Sequence, residues 1–349
     1  MATVLASINP FEATEKVRYT PDLENLDPNE SELIDETAQH IKSLIQQNFN
    51  KHGHAYRGTH LKTQGLVTGS LAVRSDLPED LQTSLFQPGK KYNVIMRYAN
   101  EPFKIDPDTV PGPRGLGIKL FVEGSRTQDI LMNNAPILEL TDVKTTKEIF
   151  ELRAKYFDDQ EGMEKELKKR SDYKKQIAPF QLPNKDIMGM TFFQQAPFRY
   201  GPFIGKMRLT PSKKQCVRTK GTVPRVASPT ILREWISEYF ENHDAEYTLS
   251  VQFCEDPEKE PIEDTSVEWK SKYYDIADLV FPKQDSFSAK RRVFWEEKMR
   301  LDPWKGLDDH LPIGGVNRVR RSVYGTSREK REEINQTETQ SVTFDDIPS

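Results

Sequence analysis

The sequence predicts an α+β protein built on an antiparallel sheet or barrel. Several short runs rich in β-branched and aromatic residues are bounded by Gly, Pro, Asn or Asp, as strands are. Amphipathic helical stretches fall between them without the regular strand–helix–strand alternation of a parallel sheet. There is no internal repeat and no GxGxxG or Walker-type phosphate loop.

Residues 1–28 are polar and punctuated by Pro10, Pro21 and Pro28, and read as an arm on the surface. Asn29 or Ser31 then caps a helix running to about Asn50, with Ile34, Ala38, Ile41 and Ile45 at helical spacing. Leu33, Leu44 and Phe49 widen its stripe. Strands are expected at 66–73, 92–98, 117–122 and 130–133, the last two joined as a hairpin through Gly124-Ser125. Later strands are expected at 205–210 and 247–253. A helix over 144–157 starts after the capping pair Thr141-Asp142. Another opens at Ser228-Pro229 and buries Ile231, Trp235, Ile236 and Phe240. The charged stretch 161–175 reads as an exposed helix or mobile excursion. The segment 179–204, rich in Pro, Phe, Gln and Gly, reads as a long loop that shapes a pocket. The domain reading is an arm over 1–28, one domain over 29–335 and a polar tail over 336–349.

Charge is nearly balanced across the 349 residues, 50 basic against 54 acidic, for a formal −4. That balance gives no footprint for nucleic acid, and no apolar window approaches the length of a membrane span. Cys216 and Cys254 have neither a CxxC nor a Cys/His metal spacing and make no disulfide framework. The first residues lack the basic and apolar regions of a signal peptide. The expected setting is therefore the cytoplasm, where thiols stay reduced.

The chemistry-bearing residues lie at the two ends of the chain. Arg320 and Tyr324, four apart, share one helix face. A guanidinium beside a phenol favours the phenolate, the form that binds ferric iron. At the other end, His60 sits in Tyr56-Arg57-Gly58-Thr59-His60-Leu61-Lys62.

These segments, with Arg97-Tyr98, Pro113-Arg114-Gly115 and Asn133-Asn134-Ala135-Pro136 between them, resemble the catalase family in the same order. The resemblance covers about residues 55–335 and implies a catalase-like haem-binding β-barrel with surrounding helices. It implies haem b as cofactor and Tyr324 as axial ligand to the iron, with Arg320 donating to the phenolate. It makes Arg57, Arg97 and Arg331 propionate ligands, since guanidinium groups pair bidentately with carboxylates. His60 becomes the distal general base and acid, and Asn133 a hydrogen-bonding partner of the peroxide. A homodimer is what the family suggests.

Several positions depart from catalase. Thr59 replaces an aliphatic residue before the distal histidine, and the same Thr-His pair occurs in catalase-related allene oxide synthases. Ala99 replaces a serine that supports the histidine. Pro111-Gly112 replaces Arg-Asp, and Leu138-Glu139-Leu140 stand in place of an aromatic cluster. The haem-stacking phenylalanine has no clear counterpart, Phe150 being a candidate by proximity alone. Only 25 residues follow Tyr324, where full-length catalases continue with a long helical region, so the likeness is to small catalase-related haem proteins. A shorter, wider path to the haem is expected. The expected function is activation of a peroxide or organic hydroperoxide, peroxidase-like or specialised, with weak catalase activity. The alternatives are an allene-oxide-synthase-like dehydratase or isomerase of fatty-acid hydroperoxides, and a non-catalytic haem-binding module.

Overall fold

A computed structural model describes residues 15–124 and 126–349. Residues 1–14 of the expected arm, and Ser125 of the expected hairpin turn, lie outside the described residues. The strands are β1 (Lys62–Val73), β2 (Lys91–Asn100), β3 (Arg114–Phe121), β4 (Thr127–Asn133), β5 (Phe192–Phe193), β6 (Phe198–Tyr200), β7 (Phe203–Pro211), β8 (Ala245–Phe253) and β9 (Tyr273–Phe281). Every pairing between them is antiparallel. The order β5-β4-β3-β2-β1-β9-β8-β7, with β5 also pairing β7, closes eight strands into a barrel, and β6 forms a hairpin onto β7. The barrel is filled by alternate residues of its strands, among them Val67, Leu71, Met96, Ile118, Leu249 and Phe281. Inside it, the Tyr98 and Tyr247 hydroxyls meet at 2.8 Å, so neither buried phenol lacks a partner.

The helices are α1 (Glu30–His52), α2 (Val143–Lys155), α3 (Gln160–Leu167), α4 (Tyr173–Ile177), α5 (Lys213–Val217), α6 (Ile231–Asn242), α7 (Ala289–Glu297) and α8 (Gly315–Asn335). Helix α1 buries Ala38, Ile41, Leu44 and Ile45, the expected stripe, and ends at Gly53 with φ of +69°, where the left-handed turn favours glycine. Asp142 caps α2 by accepting from the Thr145 amide at 2.7 Å. Helices α1, α2 and α8 share a second core around Leu44, Ile149, Phe150 and Val319, beside the barrel. Past α8 the chain turns back: Val342 is buried beside Trp295, and Phe344 packs edge-on against Phe121.

Several expectations need correction. Strand β1 begins at Lys62 rather than 66. Strand β9 and helix α7 were not anticipated. The stretch 161–175 is helical, as one of its two expected readings has it, but it is split between the short helices α3 and α4 and tied to α2 by the ion pair of Arg170 with Glu148 at 2.7 Å. The segment 179–204 is not a plain loop, for it carries β5 and β6 and begins β7. Among the described residues, no helix is long and apolar enough to cross a membrane.

Candidate active site

A buried cleft lies between the outer face of β2–β4, with the segment just before β1, and one face of α8. Thr59, His60, Arg57, Arg97, Asn133, Arg320, Tyr324 and Arg331, all singled out from the sequence, line it.

His60 stands just before β1 with φ of +56°. That is a left-handed conformation which costs a non-glycine residue about 1–2 kcal/mol. Two hydrogen bonds hold it there: its amide donates to Glu101 O at 2.8 Å, and its carbonyl accepts from Arg97 Nη2 at 2.7 Å. Gly115 on β3 makes room for the ring, since a Cβ there would lie 2.1 Å from His60 Cδ2. The register sets Gly115 opposite both Ala99 and Asn133, which brings Asn133 to the imidazole.

The hydrogen bonds around the ring select its tautomer. Gln195 donates from Nε2 to Ile137 O and accepts at Oε1 from Asn133 Nδ2 at 3.1 Å. Asn133 therefore presents Oδ1, an acceptor, to His60 Nε2 at 3.0 Å, and Nε2 carries the proton. The Nδ1 lone pair faces the Thr59 hydroxyl at 3.3 Å. Burial lowers the His60 pKa to about 4; the Asn133 bond opposes this, and Arg97, Arg320 and Arg57 reinforce it. The imidazole is neutral at pH 7, as a proton acceptor must be.

Tyr324 faces the cleft from α8. Burial raises its pKa, with Asp302 and Asp129 adding to the rise and Arg320 opposing it. Arg320 gives its Nη1 to Asn317 Oδ1 at 3.2 Å. Arg320 thus acts in the expected direction, lowering the Tyr324 pKa, while burial and the two aspartates raise it.

At the rim, Arg57, Arg97 and Arg331 gather around Glu296 of α7. Arg57 Nη1 is ion-paired with Glu296 Oε2, and Arg97 Nη2 lies 3.4 Å from Oε1. Thr63 donates to Oε1 at 2.8 Å, and Arg331 Nη2 donates to the Glu296 carbonyl. Burial, together with the charges of Arg331 and Arg97, holds Arg57 well below its usual pKa. The Glu296 carboxylate thus pairs with two of the three crowded guanidiniums, Glu297 and Glu332 act at longer range, and Arg331 Nε is buried without a partner among the described residues.

Ala99 lines the cleft with no hydroxyl to offer His60, so Thr59 is the imidazole's hydroxyl neighbour. Phe150 also lines the cleft, its ring 5.1 Å from the Arg153 guanidinium. The sequence reading missed Gln195 and Glu296. Gln195 lies in a segment without periodicity, and Glu296 in a charged run that looks like a solvated face.

The donor set suits a haem. The cleft has a phenol on one wall, an imidazole on the other and excess guanidinium charge at the rim with an unsatisfied N–H. The bare backbone of Gly115 and Gly117 forms part of its lining. Among the described residues no group of three His, Cys, Asp or Glu side chains is placed to hold a metal ion. A lone tyrosine suits a metal whose other ligands come from a macrocycle.

No family model matches the sequence. Among curated proteins, linolenate 9R-lipoxygenase from Nostoc sp. is 32% identical over 126 residues, 34% of this chain and 16% of that protein. The chain thus spans about a sixth of that relative's length. Among solved structures, catalase A from Saccharomyces cerevisiae superposes with a TM-score of 0.64 at 14% identity, covering 95% of this chain and 70% of that one. A fungal catalase gives 0.62 at 16% identity, with coverages of 95% and 67%. A bacterial catalase gives 0.58 at 16% identity, again with 95% and 67%. The barrel, its flanking helices and these superpositions together show that this chain has the catalase fold.

Proposed function

We propose that this chain is a haem enzyme that activates a peroxide or an organic hydroperoxide. The supporting observation is His60 and Tyr324 lining one buried cleft whose rim is crowded with arginine. Tyr324 would hold the iron of haem b through its phenol oxygen, with Arg320 assisting its ionisation. Arg57, Arg97 and Arg331 would hold the propionates. When bound, the haem supplies redox chemistry at its iron.

The protein's part is proton handling. His60, neutral and desolvated, would take the peroxide proton on its unprotonated ring nitrogen. The Thr59 hydroxyl both donates and accepts, so it serves either tautomer. His60 then returns the proton to the leaving oxygen. Gln195 fixes the Asn133 amide, and the second Asn133 amide hydrogen remains for a peroxide oxygen.

The test is spectroscopic first. Purified protein reconstituted with haem should show a Soret band and the charge-transfer features of ferric tyrosinate haem, and Tyr324→Phe should lose the haem or change that spectrum. His60→Ala should keep the haem and lose peroxide reactivity. A protein that binds no haem under adequate supply refutes the proposal.

A second reading, rearrangement of a fatty-acid hydroperoxide, is favoured by the Thr59-His60 pair and by the similarity to a protein named for linolenate. Mixing the haem-loaded protein with hydrogen peroxide and with a fatty-acid hydroperoxide separates the two. Reductant oxidation or gas evolution supports the first, and epoxide formation supports the second.

A further inference from the structure

One buried acidic cluster in the cleft has no part in this mechanism. Glu101, just after β2, is 6% exposed and lines the cleft with His60 and Arg320. Glu139, beyond β4, is 5% exposed. A single guanidinium serves both. Arg153 of α2 donates from Nη2 to Glu139 Oε1 at 3.3 Å and holds Nη1 3.9 Å from Glu101 Oε1. Arg153 also lies over the rings of Phe150 and Phe103, at 5.1 and 5.7 Å, so the cluster is covered by apolar surface. Glu101 Oε2 is buried with no hydrogen-bond partner among the described residues.

Two buried carboxylates that share the Arg153 guanidinium in a poorly screened site repel one another and disfavour double ionisation. Arg320, from α8, is the other cation acting on Glu101, and His60 beside it is neutral. Burial raises Glu101 despite both arginines, and burial pushes Glu139 up to about 7 despite Arg153. Geometry decides which carboxyl keeps the proton. Glu139 has the shorter contact and takes the guanidinium hydrogen bond, whereas Glu101 has a bare oxygen. An unbonded buried hydroxyl costs less than an unbonded buried charge.

We propose that Glu101 and Glu139 share one proton at neutral pH, carried by Glu101, and that Glu101 Oε2–H donates a hydrogen bond to a second oxygen of the organic substrate, a hydroxyl, carbonyl or carboxylate apart from the peroxide bond. The shared proton stands without haem. The substrate contact rests on the proposed function.

Infrared titration of the haem-free protein tests the first part. A protonated carboxyl band should persist at neutral pH and vanish on raising the pH. Glu101→Gln, isosteric with the neutral acid, should lack the band and keep the melting temperature at neutral pH. Glu139→Gln should also remove it, because Glu101 then becomes the carboxylate that Arg153 needs. A wild-type protein with no such band, or a band that survives Glu101→Gln, overturns the shared proton. For the second part, KM is compared for a carboxylated hydroperoxide and for tert-butyl hydroperoxide on the haem-loaded protein. Glu101→Leu should raise KM for the first about tenfold more than for the second. Glu101→Gln, whose amide still donates, should restore most of the difference. Equal effects on both substrates overturn the substrate contact. Failure to bind haem would sink the proposed function and leave the infrared result standing.

Discussion

One methyl group at position 115 should unseat His60. A Cβ built on Gly115 lies 2.1 Å from His60 Cδ2, 2.3 Å from Nε2 and 3.1 Å from Asn133 Oδ1. Carbon atoms settle at about 3.5–4.0 Å, so the ring must retreat by roughly 1.5 Å. Its backbone cannot follow easily, because the hydrogen bonds to Glu101 and from Arg97 hold it. Overpacking of this kind costs about 1–3 kcal/mol, and loss of the Nε2 bond to Asn133 adds about 1 kcal/mol. Gly115→Ala should therefore destabilise the protein by roughly 2–4 kcal/mol, at about 2–4 °C of melting temperature per kcal/mol in a domain somewhat smaller than this one. The assay is thermal unfolding of the haem-free wild type, Gly115→Ala, His60→Ala and the double variant. With no ring at position 60 the added methyl should cost little, giving a coupling of about 2 kcal/mol between the sites. If the two substitutions simply add, the close approach of Gly115 and His60 is not what constrains position 115.

Four further outcomes follow from the geometry. His60→Gly should be more stable than His60→Ala by about 1 kcal/mol in chemical denaturation, because only glycine accepts the positive φ without cost. Asp108 is 0% exposed and accepts from Lys62, Gln64, Asn100 and the Leu232 amide. Asp108→Ala leaves the Lys62 ammonium buried without its counter-charge and should cost about 3–5 kcal/mol, read by the denaturation midpoint. Gln195→Leu frees the Asn133 amide to turn, so the haem-loaded variant should keep its Soret band and react with peroxide about tenfold more slowly in stopped flow. Burial lowers the His310 pKa to about 4, with Asp309 opposing and Arg199 reinforcing. The folded state keeps that ring neutral while the unfolded chain protonates it near 6.5. Its contribution is therefore full above about pH 6.5 and lost as pH falls toward 4, up to roughly 3 kcal/mol. The acid limb of the stability curve should be shallower in His310→Gln.

Patterns carried by neighbouring residues were legible; features set by distant partners were not. Strands β2, β3 and β8 declare themselves through apolar residues between turn signals. Strand β9 hides because Asp275 and Asp278 break its pattern, each taking a hydroxyl hydrogen bond from Ser250 or Thr248 on β8. Strand β5 is two residues long, too short for any periodicity. At the site, local motifs carry His60, Asn133, Tyr324 and the arginines. Gln195 acts on Asn133 from 62 residues away, and Glu296 meets Thr63 across 233. The opposing influences on Tyr324 divide in the same way. Arg320 is visible one helical turn away, but burial and the charges of Asp302 and Asp129 exist only in the folded chain.

The shortest strand has the widest reach. Ring closure at β5 runs through three register pairs, Phe193 with Asn133 on β4, and Phe192 with Leu209 and Phe193 with Arg208 on β7. Asn133 is thus both the last rung on its side of the seam and the residue that touches His60, and Gln195 sits two positions past the seam. Phe192 and Leu209 are also fully buried in the barrel core, so a parting of the barrel at this point would loosen the core and the amide relay together. The seam thus couples the barrel's closure to the groups proposed to handle the proton.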